Sequence, residues 1–306
     1  MNIIGHKYIF LTISGTLVAA SIVAFALWGV RPGIDFTGGS LMEVEFPGPA
    51  PASAVVVSTL AQLHMDSVSV QPSGERGMIL RFPHVDESTH QQIVNALSII
   101  GTKATASGLH PLIAEKRFDT IGPTIGAELK DRAIWAIMLA ILAIIAYIAI
   151  AFRKVSKPVA SWKYGIAALV ALVHDVAIPV GAFSALGHFR GVEVDPLFIT
   201  ALLTVLGFSV HDTIVVFDRI RENLHTTKSL ESFERVVNRS VNETLVRSLM
   251  TSLTVLLVLL AIFFLGGAST KYFALALIIG ITFGTYSSIF VASPILVIWR
   301  GRLDKK

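Results

Sequence analysis

Six long apolar runs constrain this chain more than any other feature. They cover residues 8–28, 133–152, 164–186, 197–217, 249–265 and 272–299. A run of about 18 or more apolar residues is long enough to cross a bilayer as a helix. The fifth has 17, so its polar flank is expected to enter the membrane as well. Buried core of a soluble protein is the other origin of such runs, but the composition excludes it. The 306 residues are 53% hydrophobic and 15% charged, whereas a soluble domain is about a quarter charged. In lipid every backbone polar group must be satisfied within the chain, so each run is a helix.

Charge placement orients the helices. Arg153, Lys154, Lys157 and Lys163 lie between the second and third runs, and Arg300, Arg302, Lys305 and Lys306 follow the sixth. The loops at 187–196 and 266–271 carry one basic residue each, Arg190 and Lys271. The positive-inside rule then puts both termini and the loop at 218–246 in the cytoplasm, and the segment 30–132 outside. The net charge of +4 is thus spread over short loops and makes no nucleic-acid surface. There are no cysteines, which removes disulfide and thiol chemistry. Ala24, Phe25 and Ala26 have the small-x-small look of a cleavage site. The apolar run before them exceeds the roughly 7–15 residues of a signal core, so the first span is expected to be retained.

Between the first two runs the period changes. Met42, Val44 and Phe46 alternate with Glu43 and Glu45, the pattern of a half-buried strand. Residues 53–64 suit a helix, 67–71 and 78–82 strands, and Asp86 can cap a second helix with Ile93, Leu97 and Ile100 on one face. A faint last strand is expected at 102–108. The order β-α-β-β-α-β is ferredoxin-like. The fold class is therefore a polytopic α-helical membrane protein with six transmembrane helices and a small α+β domain between helices 1 and 2. Its parts are 1–29, the first span; 30–132, the outer domain; and 133–306, a five-helix domain with the loop 218–246. No clustered His, Asp or Glu in the outer domain suggests catalysis, and the chain is expected not to be an enzyme.

Four features carry chemistry. "GIDFTGG" (33–39) follows the first span. Gly33, Gly38 and Gly39 permit close backbone approach, Asp35 and Thr37 can bond local amides, and no Lys-Ser/Thr follows to make a phosphate loop. Asp175 lies near the middle of the third span, and Ala168, Ala171, Leu172, Pro179 and Ala182 share its face. Asp212 lies within the fourth span beside His211. A charge at mid-span costs at least ~2.5–3.5 kcal/mol. Two aspartates on successive spans favour a function over an incidental polar contact. Arg247 opens the fifth span with Thr244, Thr251 and Thr254 on its face, either as an anchor at the interface or as a partner of Asp212. A nearby guanidinium holds the acid ionised, and its withdrawal in apolar surroundings leaves the acid protonated. Such a pair can take and release a proton as helices move.

Other chemistries are weaker. A metal held by His174, Asp175, His211 and Asp212 is disfavoured, because adjacent helical side chains diverge by about 100°. An intramembrane aspartyl protease would carry Gly-x-Gly-Asp, and the fourth span reads "GFSVHD". Gly280 and Gly284 in the sixth span read as a packing motif. The charged segment 219–246 reads as a solvated, partly helical face.

Together "GIDFTGG", "IGPTIGAEL" (121–129), "HDV" in the third span, "GFSVHDTIVVFDRIREN" (207–223) and "RSLMTSLT" (247–254) resemble the SecD/SecF family of bacterial protein-export membrane proteins, within the resistance-nodulation-division (RND) superfamily. The resemblance spans nearly the whole chain. It implies a multi-pass protein of the bacterial inner membrane with a periplasmic outer domain. It also implies a SecD partner, association with SecYEG and YajC, and action on unfolded preproteins. The proton motive force would be the energy source, with no bound cofactor. The family's intramembrane acid falls on Asp212 and its basic partner on Arg247. His211 stands where the family commonly has asparagine, and Asp175 is a supporting contact. One charge crossing 100 mV supplies ~2.3 kcal/mol, enough to shift a two-state equilibrium more than tenfold. The alternative is half of an RND-type small-molecule efflux transporter, which would require a larger outer domain.

Overall fold

The computed structural model describes residues 1–65, 67–103, 113–151, 161–226 and 231–301. It divides into two compact units, Met1–Arg31 with Trp135–Lys306, and Pro32–Ile134. Arg153, Lys154, Lys157, Arg302, Lys305 and Lys306, used above for orientation, lie outside the described residues.

In the membrane unit, α1 (Lys7–Trp28) is the first span. In Pro32–Ile134 a single turn, α2 (Ile34–Thr37), leads into β1 (Gly39–Glu45). Then come α3 (Ser53–Ala61), β2 (Ser69–Ser73), β3 (Gly77–Phe82), α4 (Glu87–Lys103) and β4 (Ala114–Ile121). The sheet order is β2-β3-β1-β4, antiparallel at every pairing, which is the ferredoxin-like arrangement. β3 lies between β1 and β2, with Met42 opposite Leu80 and Val44 opposite Met78. Their side chains, with Phe46, Phe82, Val56, Leu60, Ile93 and Leu97, form one buried core. This is the face read from the alternation of residues 42–46. The Asp86 carboxylate accepts a hydrogen bond from the Thr89 amide at 2.9 Å and so caps α4.

The last strand differs from expectation. Residues 102 and 103 belong to α4, and 104–108 lie outside the described residues. The strand on the far edge is β4, at 114–121. It escapes a pattern search because an edge strand needs little burial. Its first four residues, Ala114 to Arg117, are all exposed.

Six helices are long and apolar enough to cross a membrane. After α1 these are α5 (Pro123–Ala151), α6 (Ser161–Arg190), α7 (Pro196–Thr226) and α8 (Phe233–Leu265). The sixth span is made of α9 (Ala268–Ser287), a π-helical turn (Ser288–Ala292) and α10 (Ser293–Gly301). α6, α7 and the sixth span are the most buried, whereas α1 and α5 leave most of their apolar surface outward. Tyr164 packs edge-on to Phe217 within the largest core cluster of this unit. The π turn has a local cause: Pro294 cannot donate a backbone bond to the turn before it.

The segment 218–246 is not an open loop. α7 runs on to Thr226 and α8 starts at Phe233, with 227–230 outside the described residues. Charge pairs at helical spacing support these extensions: Arg221 with Asp218, Arg219 with Glu222 at 2.6 Å, and Arg239 with Glu243 at 3.9 Å. Asn223 of α7 ties them together by donating to Ser240 at 2.9 Å and Glu243 at 2.7 Å on α8.

Candidate functional site: two carboxylates caged by hydroxyls

Two aspartates are buried inside the membrane unit. Asp175 on α6 is fully buried, and Asp212 on α7 is 8% exposed. Asp175 accepts hydrogen bonds from Ser209 Oγ of α7, from Ser287 Oγ of α9 at 2.7 Å, and from His174 Nδ1 at 2.8 Å in the tautomer that carries the proton there. Asp212 accepts from Ser248 Oγ of α8 and Ser288 Oγ of the π turn. Each acid is thus held by hydroxyls from two other helical segments. Ser287 and Ser288 are consecutive, so the sixth span touches both acids with adjacent side chains. One turn earlier, Ser252 of α8 bonds Thr285 of α9. A buried polar group needs such partners, and more so where water is excluded.

Small residues bring these groups into reach. A Cβ on Gly280 would lie 2.2 Å from Val205 Cγ2, and one on Gly284 3.2 Å from Ser209 Cβ. α9 therefore lies directly against α7 along the edge that carries Val205, Ser209 and Asp212. The packing reading of these two glycines is what the structure has, and it places Ser287 and Ser288 beside the acids. Within α6, Pro179 removes the helical hydrogen bond to the Asp175 carbonyl.

Arg247 is placed differently from the expectation of a pair. Its side chain is exposed, and among the described residues no ion pair joins it to Asp212. The neighbouring Ser248 bonds the acid instead. α8 carries two polar stripes. Arg247, Thr251 and Thr254 face outward, and the two threonines bond their own helix at 2.9 and 2.8 Å. Ser240, Thr244, Ser248 and Ser252 face the interior. Helical spacing counted from Arg247 picks out the first stripe and groups Thr244 with it, whereas Thr244 faces the interior with the second. Both have helical spacing, so periodicity alone could not separate them.

His211, next to Asp212 in the chain, is exposed. His174 is the opposite case: it is 3% exposed and bends back onto Asp175. The divergence expected of adjacent helical residues fails there. In the sequence His174 reads only as a metal-ligand candidate. Ser248, Ser287 and Ser288 were not singled out, although the Ser-Ser pair in an apolar span was a visible signal. Among the described residues no group of three or more His, Cys, Asp or Glu side chains could hold a metal ion.

The "GIDFTGG" turn has its own geometry within Pro32–Ile134. Gly33 is extended and Asp35 lies in the first turn of α2. Thr37 Oγ1 donates to the carbonyls of Gly33 at 3.1 Å and Gly38 at 3.0 Å. Gly38 has φ of +72° and Gly39 +124°. A Cβ on Gly38 would stand 2.8 Å from the Pro123 Cα, and one on Gly126 2.7 Å from the Gly38 nitrogen. The turn and the start of α5 therefore touch backbone to backbone, an approach open to glycine alone.

Six helices able to cross a membrane, an α+β domain after the first, and carboxylates caged inside the bundle define a polytopic membrane protein with a polar interior site. The comparisons narrow this. Residues 102–302 match the family described as protein export membrane protein SecD/SecF, C-terminal, and residues 29–46 match the SecD/SecF GG motif. The protein translocase subunit SecF of Thermobaculum terrenum is 44% identical, covering 99% of this chain and 95% of that protein. That of Anaerolinea thermophila is 41% identical, covering 98% and 94%. The crystal structure of SecDF, a translocon-associated membrane protein from a Thermus species, superposes with a TM-score of 0.81 at 33% identity. It covers 99% of this chain, while this chain spans 39% of that one. The chain belongs to the SecD/SecF family of protein export membrane proteins.

Proposed function

We propose that this chain is the SecF-type half of a SecD–SecF pair. In that role it uses the proton motive force to complete movement of unfolded preproteins across the bacterial inner membrane. Both termini then lie in the cytoplasm and the 30–132 domain in the periplasm. SecYEG is the channel it serves, YajC a further associated subunit, and lipid its surroundings. The role is non-enzymatic and takes no cofactor besides the proton gradient.

Asp212 takes and releases the proton, Asp175 is its supporting acid, and Arg247 sets its affinity. His211 lines the outward face beside them. The observation that supports this reading is that a serine, and not Arg247, holds Asp212. Ser248 bonds the acid while Arg247, one residue earlier, faces out. A turn of α8 by about 100°, one residue's share of a helical turn, would swap the serine for the arginine. The swap would drive the proton off the acid, and reversal would restore it. Gly33, Asp35, Gly38 and Gly39 form the joint through which the first span meets the outer domain.

The test is Asp212→Asn in the complete complex. The variant is expected to insert and to pair with SecD, but to lose the proton-dependent part of export. Export that keeps its full dependence on the proton gradient would refute the mechanism.

A further inference from the structure

His90 of α4 is 6% exposed, and both of its ring nitrogens meet carboxylates. Nδ1 lies 3.3 Å from Glu87 Oε1, one turn back on the same helix, and Nε2 lies 3.0 Å from Glu115 Oε2 on β4. The ring stacks on Phe118 of β4, at 3.9 Å between centroids. A neutral imidazole has one N–H and one lone pair. In either tautomer one of the two carboxylates would face the lone pair, so only the doubly protonated ring donates to both. Both carboxylates also reach water, the setting in which a carboxyl group is ionised at neutral pH. Hydrogen bonds from Gln91 and His90 hold the Glu87 carboxyl below its ordinary 4.5. The other charged groups nearby do not compete for the ring. Lys116 and Arg117 of β4 are paired with Glu45 and Asp119, and β1 turns apolar Met42 and Val44 into this core. The helix dipole opposes a cation so early in α4, and Asp86 and Glu87 at the same end offset it.

We propose that His90 is a proton-operated tie between α4 and β4, closed when the ring is charged and released when it is neutral. Histidine is the side chain that changes charge between about pH 5 and 8. Both partners favour the charged ring, so the tie adds stability on the acid side and loses it as pH rises. β4 is the strand on which such a tie has leverage. It lies at the edge of the sheet and pairs only with β1. Its first half, Ala114 to Arg117, is exposed, so little apolar packing holds it. β4 ends at Ile121 and α5 begins at Pro123. Acidity around the α+β unit therefore acts on the strand that leads into a membrane-spanning helix. The tie does not depend on the reading of Asp212. His84 also touches β4, with Nδ1 2.7 Å from Thr120 Oγ1. A hydroxyl can donate or accept, so that contact serves either charge state.

Hydrogen exchange of the full chain in lipid nanodiscs, read by mass spectrometry, tests the tie. Each rate is divided by the intrinsic chemical rate at that pH. Between about pH 5.5 and 8, where imidazole loses its charge, the amides of residues 114–118 are expected to lose protection at least threefold. His90→Gln cannot take the charge, and its profile for these amides should be flat. Glu115→Gln changes an exposed side chain on β4 and should flatten the profile too; it decides the matter if His90→Gln unfolds the unit. His84→Gln should keep the profile of the unmutated chain. A flat profile in the unmutated chain, a pH dependence that survives His90→Gln or Glu115→Gln, or one that disappears with His84→Gln would overturn the tie.

Discussion

Replacing Gly280 by alanine tests whether close packing of α9 on α7 holds the carboxylate cage together. The new methyl carbon would lie 2.2 Å from Val205 Cγ2 and 2.8 Å from Cγ1. Apolar carbons need about 3.5 Å, so one atom must move by about 1.3 Å. Val205 cannot swing aside, since a β-branched side chain in a helix has one strongly preferred rotamer. The helices must therefore part. Overpacking of this kind costs about 1–3 kcal/mol, which SDS-induced unfolding in mixed micelles can resolve. The cause is isolated by repeating the substitution in a Val205→Ala background. The two offending methyls are then gone, although the Cβ of residue 205 remains 3.0 Å away. The cost should fall by at least about 0.5 kcal/mol, the size of coupling seen between residues in contact. Ser287 and Ser288 follow seven and eight residues along the same span, about 10 Å away. Parted helices would pull both hydroxyls from the acids. A Gly280→Ala protein of unchanged stability, or an equal cost in both backgrounds, would refute the reasoning.

Two further outcomes are expected in the α+β unit. Gly38→Ala places a side chain at φ of +72° with its Cβ 2.8 Å from the Pro123 backbone. With ψ of 168° the backbone there is in a region essentially reserved for glycine, a penalty of about 1–3 kcal/mol, and limited proteolysis of the intact chain should cut faster within Pro32–Ile134, whereas unchanged resistance would count against the close-approach argument. Hydrogen bonds from Thr89 and Ser88 hold the Asp86 carboxyl below its ordinary value of 3.8. An acid with a lowered folded-state value stabilises above its unfolded value and loses that effect as pH falls through the folded one. Exchange protection of the Thr89 amide should thus hold at neutral pH and weaken below about pH 4. Asp86→Asn should retain the cap and lose that pH dependence.

The sequence by itself determined the spans, because a helix that crosses lipid needs a continuous apolar run and few other structures tolerate one. It also determined the face of β1 and the cap of α4, since strand alternation and N-cap chemistry are local. β4 was misplaced because an edge strand buries little and leaves no pattern. The two acids were legible as costly residues in apolar runs. Their partners were not, because Ser209, Ser248, Ser287 and Ser288 come from three different segments of chain and look ordinary in each. Only tertiary packing decided which polar stripe of α8 faces inward. It put Ser248 rather than Arg247 on Asp212, and bent His174 onto Asp175. A one-residue rotation of a helix changes every such contact and leaves the sequence pattern equally satisfied.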